Sequence, residues 1–355
     1  MMTDYDVLKD PKFRRYVIKK ISKSTKDPNY TFPTHFPLLC RYTKLSYYSI
    51  EDIINEQVTA TIIGEFNDIF DGAIHKYQSK DDMDAVPEKE WNELKKIYEI
   101  NGFELSDQSK DEYFENKKTV VEEHNHNAFS ELDYLGTYIC CFSTHNDSTL
   151  MWSHYAGANT GMCITYDFNQ WADTNLLRSF LFPIEYTEKP IIIPDIMQET
   201  DECEHPVIAN VLATALCKAE TWKYEHEWRL LLLLPFLNYN NKRICRTPIK
   251  IKCIPAKVCF GFHFLKQFFY QNNNEIQSAR SNIEEFQRLL SFLTENEIPT
   301  SIITPEIGGY KLIPSDISIE NLHQFMSTNF KDNSPEKMKY YHMIQGELLK
   351  LLERK

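Results

Sequence analysis

Glycine is scarce in this chain, with 10 residues in 355 where an ordinary share is about 7%. Neither G-x-G-x-x-G nor G-x-x-x-x-G-K-[ST] occurs. A Rossmann or P-loop phosphate cradle, which relies on glycine for close backbone approach, is therefore disfavoured. Long apolar runs are missing too. The longest, residues 230–237, falls far short of the ~20 residues that span a bilayer. The charged opening MMTDYDVLKD has no apolar core of a secretory leader. Basic charge is in deficit, 39 Lys+Arg against 51 Asp+Glu, a net charge of −12. Nucleic acid and anionic membranes are disfavoured as partners. No C-x-x-C pair occurs among the nine cysteines, and an odd number among apolar neighbours reads as free buried thiols. The expected location is the cytoplasm.

What is present is a chain with 42% hydrophobic residues, ample for a large core. Residues 1–37 read as an N-terminal helical extension, with a helix at 11–22. Strands are expected at 38–43, 58–63, 138–142, 162–168, 222–234 and 250–260, with short ones near 300–303 and 310–313. Ser49-x-x-Asp52 reads as a capping box. Helices are expected at 148–155, over the Ala-rich stretch 206–219, and at 283–294. Residues 64–72 are rich in turn formers yet keep three large apolar side chains, as in an ordered loop tied to a core. Residues 73–133 are charged and read as a helical insertion. The chain from 314 to 355 reads as a helical tail. The class is α+β, a central mixed or antiparallel sheet in a core domain at 38–313, with the inserted helical region and the two helical extensions.

Three segments carry candidate chemistry. On a strand through 222–234, side chains alternate between faces. Lys223, Glu225, Glu227 and Arg229 would line one face, and Trp222, Tyr224 and Trp228 the other. Carboxylates two residues apart repel, which raises one pKa, while flanking cations oppose that shift. A solvated face of cross-strand ion pairs fits the same pattern. The second segment is Ser143-Thr144-His145-Asn146-Asp147, a strand end turning into a helix that holds Trp152 and Tyr155. Such turns gather backbone N–H groups and short polar side chains, although capping by Asn146, Asp147 or Ser148 explains part of the pattern. The third is Arg41 on the strand at 38–43, an arginine able to grip phosphate or to serve as an ordinary ion-pair partner. His124-Asn125-His126 has no partner at ligand spacing, and no metal is expected.

Together, Arg41-Tyr42, Phe66-Asn67-Asp68-x-Phe70-Asp71, Cys141-Phe142-Ser143, Met151-Trp152-Ser153-His154-Tyr155-Ala156, Gly161-x-Cys163-Ile164, the stretch Lys218 to Tyr224 and Glu225-x-Glu227-Trp228-Arg229-Leu230 resemble the bacterial domain-of-unknown-function family 2971. The likeness runs from about residue 38 to 313. The series Arg41, Ser143-Thr144, Glu225-x-Glu227 is also similar to the Arg, Ser-Thr-Ser, Glu-x-Glu pattern of ADP-ribosyltransferases, with His145 where the third serine would stand. That second resemblance implies NAD as substrate, Arg41 on its phosphate and Ser143 at the nicotinamide pocket. It also implies Glu227 on the ribose and Glu225 at the acceptor. The sites expected from these readings are Glu227, Glu225 and Arg229 as catalytic residues, and Arg41, Ser143, Thr144 and Tyr155 as binding residues.

Three functions compete. The first is an NAD-consuming transferase or glycohydrolase, such as a toxin or phage-defence effector. The second is a non-catalytic sensor or interaction module, with the charged strand face binding a peptide or small ligand and the acidic insertion offering a surface to a protein partner. The third is a metal-dependent nuclease using Asp147, Glu225 and Glu227.

Overall fold

The computed structural model describes residues 11–24, 35–72 apart from 69, 137–189 apart from 173 and 174, 191, 206–233, 247–269, 276–330 and 341–353, with short pieces between 85 and 115. Most of the expected insertion at 73–133, His124 and His126 included, lies outside the described residues.

A ten-stranded mixed sheet forms the centre. Its strands, with the small pair β6–β7, are β1 Leu39–Thr43, β2 Gln57–Ile62, β3 Thr137–Ser143, β4 Met162–Tyr166, β5 Leu181–Pro183, β6 Glu185–Thr187, β7 Cys217–Ala219, β8 Glu227–Leu233, β9 Ile249–Lys252, β10 Lys257–Phe260, β11 Thr300–Pro305 and β12 Leu312–Ile317. The helices used below are α1 Pro11–Ser24, α2 Tyr47–Ile54, α3 Thr149–His154, α4 Pro206–Ala215, α5 Ile276–Glu295, α6 Ile319–Asn329 and α7 Tyr341–Glu353. The α+β class and the central sheet are as the sequence implied.

The main path runs β12-β11-β10-β4-β1-β3-β2-β9. Only β10 and β11 pair in parallel within it. The sheet forks at β3. One edge of β3 pairs along its whole length with β8, and β8 continues to β5. The other edge meets β1 at Cys40↔Ser143 and β2 at Thr61↔Ile139. Residues 137–143 are buried at all but one position, as a strand with neighbours on both edges and cover on both faces requires.

A large apolar cluster holds one side of the sheet together with α1, α4 and α5. A smaller one, around Cys40, Tyr42, Met151, Trp152, Cys163 and Cys259, seats α3 on the other side of β1 and β4. The Trp152 indole is fully buried. Its Nε1 donates to Asn146 O at 2.8 Å, so this residue is packing. After α3, Gly157, Ala158 and Asn159 all take positive φ. They fold the chain back tightly enough that a Cβ on Gly161 would stand 2.2 Å from Thr43 O.

Several local expectations are corrected. The box capping α2 is Ser46 with Ser49, not Ser49 with Asp52, because Asp52 accepts from Thr59 and Lys250 instead. The strand expected at 250–260 is two strands, β9 and β10, parted around Pro255, which has no N–H for a ladder. The helix expected through 219 ends at Ala215, and Cys217–Ala219 is a strand. The tail expected to be helical from 314 opens as the second half of β12. The seven cysteines among the described residues are free thiols.

Candidate functional site

The strand expected over 222–234 begins only at Glu227. Residues Glu220–Glu225 form a 3-10 turn that ends on His226 in the left-handed region, at φ 45° and ψ 50°. A non-glycine residue there carries a modest strain. The consequence is a change of company for the charges. Lys223 swings out to an exposed pair with Glu220. Glu225 and Glu227, on either side of the turn, both point inward. The cation they meet is Lys218 of β7, which opens one block of the family resemblance but to which the sequence assigned no role.

Lys218 Nζ donates to Glu225 Oε2 at 2.6 Å and to Glu227 Oε2 at 3.0 Å. Arg229 Nε donates to Glu227 Oε1 at 2.7 Å. The Arg229 fork grips Asp71, Nη1 on Oδ1 at 2.7 Å and Nη2 on Oδ2 at 2.5 Å, and Nη1 also donates to Ala215 O. The loop residue Asp71 is thus the second member to which the sequence assigned no role. It stood in the block from Phe66 to Asp71 of the family resemblance, and its apolar neighbours marked the loop as core-bound, but neither signal pointed to Arg229. All five charged groups are buried, Arg229 completely. Tyr155 at the end of α3 closes the cluster from above, its hydroxyl donating to Glu225 Oε1 at 2.5 Å. Asn67 Nδ2 donates to the same hydroxyl at 3.2 Å.

The two glutamates share Lys218 yet stand in opposite protonation environments. Burial raises the pKa of Glu225. Lys218 opposes that shift, and the charge of Glu227 adds to it. Burial would raise Glu227 as well, but Arg229 and Lys218 overcome it and hold the group at about 2. Lys218 is raised against its own burial, by Glu227 first and then Asp71 and Glu225. The Tyr155 hydroxyl is pushed up by burial and by its bond to Glu225. Two carboxylates driven apart in this way are the usual mark of an acid–base residue beside a permanent anion.

These groups border a cavity of about 430 Å³. Glu225, Glu227, Lys218, Ser143, Tyr155, Phe66 and Asn67 are in its wall. Of the residues expected to bind a ligand, Tyr155 is there with its hydroxyl engaged. Ser143 is there too, but buried. Its hydroxyl donates to Glu225 O at 2.7 Å and accepts from His145 N at 3.1 Å. It fastens the end of β3 to the turn that carries Glu225. Thr144 turns away. Its N–H bonds His226 O, its hydroxyl contacts His145 Nδ1 at 2.9 Å, and it is absent from the cavity wall.

Arg41 is the main correction. Cys40 pairs with Ser143 across β1 and β3, so Cys40 shares the cavity face and Arg41 alternates to the other. Its Nη1 donates to Thr59 O at 2.7 Å and contacts Cys140 Sγ at 2.6 Å. Arg41 contributes to the cavity wall, but its guanidinium works on the far side of the sheet from Glu227. Arg229, expected among the catalytic residues, is fully buried behind Glu227 and acts by positioning it. Trp228 packs edge-on against Phe36, and Asp147 is exposed and outside the cavity wall. Among the described residues no three metal-binding side chains converge, and no helix is long and apolar enough to cross a membrane.

The fold and site define an α+β protein with a carboxylate pair in a closed charge cluster at a sheet fork. Residues 151–230 match the family model described as protein of unknown function (DUF2971), so the resemblance to that family holds over this stretch, which takes in α3 from Met151, Lys218 and the Glu-x-Glu-Trp-Arg block. No curated protein and no solved structure matches the chain.

Proposed function

We propose that the cavity is the substrate site of a cytoplasmic enzyme that breaks a glycosidic bond in a small nucleotide substrate of the NAD type. The observation that carries this reading is the divergence of Glu225 and Glu227 around one lysine in the wall of one cavity. When the bond between ribose C1′ and the nicotinamide nitrogen breaks, its electron pair leaves with neutral nicotinamide. Positive charge then develops on the ribose. Glu227, held anionic by Arg229 and Lys218, stabilises that charge from a fixed position in a site shielded from water. A water or acceptor hydroxyl attacks C1′ and gives its proton to Glu225, whose raised pKa suits it to that task. Ser143 and Tyr155 hold Glu225 by its backbone and its side chain. The reading does not draw on Arg41.

The test is nicotinamide release from NAD by the purified protein. Glu227→Gln keeps the shape and removes the anion, and is expected to slow release by about 10²-fold or more. No release by folded wild-type protein, with water and protein acceptors both offered, overturns the proposal.

A second reading is a non-catalytic binding module. It is favoured by the full engagement of Glu227, whose two oxygens are both held by cations of the protein. In that case wild-type protein binds a ligand in the cavity and leaves NAD intact.

A further inference from the structure

The buried cluster has an odd charge count. Asp71, Glu225 and Glu227 bring three carboxylates, while Lys218 and Arg229 bring two cations, and all five are buried. Each cation is already shared. Lys218 lies between Glu225 and Glu227, with Asp71 Oδ2 at 3.7 Å. Arg229 is divided between Asp71 and Glu227. Arg41, the other arginine at this wall, directs its guanidinium to Thr59 and Cys140 across the sheet. A charge deficit in a dry site is costly until a counter-charge arrives. The deficit borders the cavity. Glu65 adds a further carboxylate to the wall, and Phe66 and Tyr155 add aromatic surface. Carboxylate and aromatic groups in one wall suit a flat or compact organic cation and repel an anion. The cavity already shows this preference internally, for Arg229 lies over the Phe66 ring at 5.7 Å.

We propose that the ligand group seated in this cavity is an organic cation, of the pyridinium or amidinium type, which supplies the positive charge missing beside Glu225. The inference rests on the cavity being the substrate site, but not on bond cleavage. It places the cationic ring of a nucleotide substrate against Glu225 and leaves its phosphates outside the cavity.

Three probes share one ring and differ in charge: 1-methylnicotinamide is a cation, nicotinamide is neutral and nicotinate is an anion. Calorimetric titration of the full chain at pH 8 should rank them in that order, the cation about tenfold tighter than the neutral ring. Its binding should weaken toward pH 5. Glu225→Gln should bring the cation and the neutral ring to within about twofold of each other and remove the pH dependence of the ranking. Should that variant not fold, the pH dependence of the wild-type ranking decides the matter. Equal or tighter binding of nicotinamide or nicotinate, or no binding of any probe at millimolar concentration, overturns the proposal. Cation binding without nicotinamide release from NAD would sink catalysis and leave this inference standing. Release of nicotinamide without a cation preference would do the reverse.

Discussion

Cys140 and Cys141 are neighbours on β3, and each stands beside an arginine, but on opposite faces of the sheet. On one face Arg41 meets Cys140 Sγ and a backbone carbonyl. On the other, the Cys141 thiol adjoins Glu227, with Arg229 next to it. Both thiols are raised by burial, so neither is primed as a nucleophile. The faces differ in what the arginine does. Arg41 satisfies neutral acceptors and ties β1 to β2. Arg229 neutralises two carboxylates and ties β8 to the loop at 66–72 and to the end of α4. Only the second arrangement creates a site, because only there does a buried cation fix the charge of a carboxylate that borders a cavity.

The strongest way to break this contrast is Arg229→Met. It leaves Asp71 and Glu227 buried without the fork that pairs them. Removing one partner of a buried pair costs about 3–5 kcal/mol, which urea unfolding will report as a lower midpoint at an unchanged slope. Arg229→Lys keeps a charge but not the two-pronged grip on Asp71, and should recover only part of the loss. A loss below about 1 kcal/mol for Arg229→Met would mean that the cluster is solvated and the site description is wrong.

The next effect separates the two glutamates by pH. Glu227 is depressed from 4.5 to about 2. Its contribution is therefore present above the unfolded value and is lost as pH falls from about 4.5 through about 2. That amounts to on the order of 3 kcal/mol. Glu225 has the opposite sign. Its folded pKa is raised, so the unfolded chain loses this proton first. Its contribution then declines as pH rises from the unfolded value to the raised one. Glu227→Gln should flatten the acid limb of the stability profile. Glu225→Gln should leave that limb and remove the decline above it. The same change in both variants would show that the carboxylates titrate as an undivided pair.

The residues that make this contrast were unequally legible in the sequence. Glu225-x-Glu227-Trp228-Arg229 marked the place, and Ser143 marked the strand beside it. The alternation of Lys223, Glu225, Glu227 and Arg229 mimicked a strand face, however, and concealed the 3-10 turn whose end is His226. A single left-handed residue leaves no periodic trace, and histidine does not announce one as glycine would. Lys218 stood in a block of the family resemblance, but its inward aim was unreadable because it follows the Ala-rich α4 in a three-residue strand too short to show a period. The partnership of Asp71 with Arg229 joins residues 158 apart in sequence, which no local pattern reports. For Arg41 the alternation was readable but the register was not. The sequence places Leu39, Arg41 and Thr43 on one face, and only the Cys40↔Ser143 pairing shows that this face is turned from Glu227.

The smallest effect comes from the other side of the comparison and checks it independently. Arg41→Met removes a hydrogen bond to Thr59 O and the contact with Cys140, and fills similar volume with an apolar chain. The expected cost is about 1–2 kcal/mol, well below that of Arg229→Met, since no carboxylate is left unpaired. Its guanidinium bonds Thr59 and Cys140 and neither glutamate, so nicotinamide release and the ranking of the charged ring probes should both change by less than about threefold. A drop in NAD turnover beyond about tenfold, in a variant with a normal unfolding midpoint, would mean that Arg41 reaches the substrate in the working enzyme. That result would restore the phosphate role its sequence position suggested, and would require β1 to present a different face to β3 when substrate is bound.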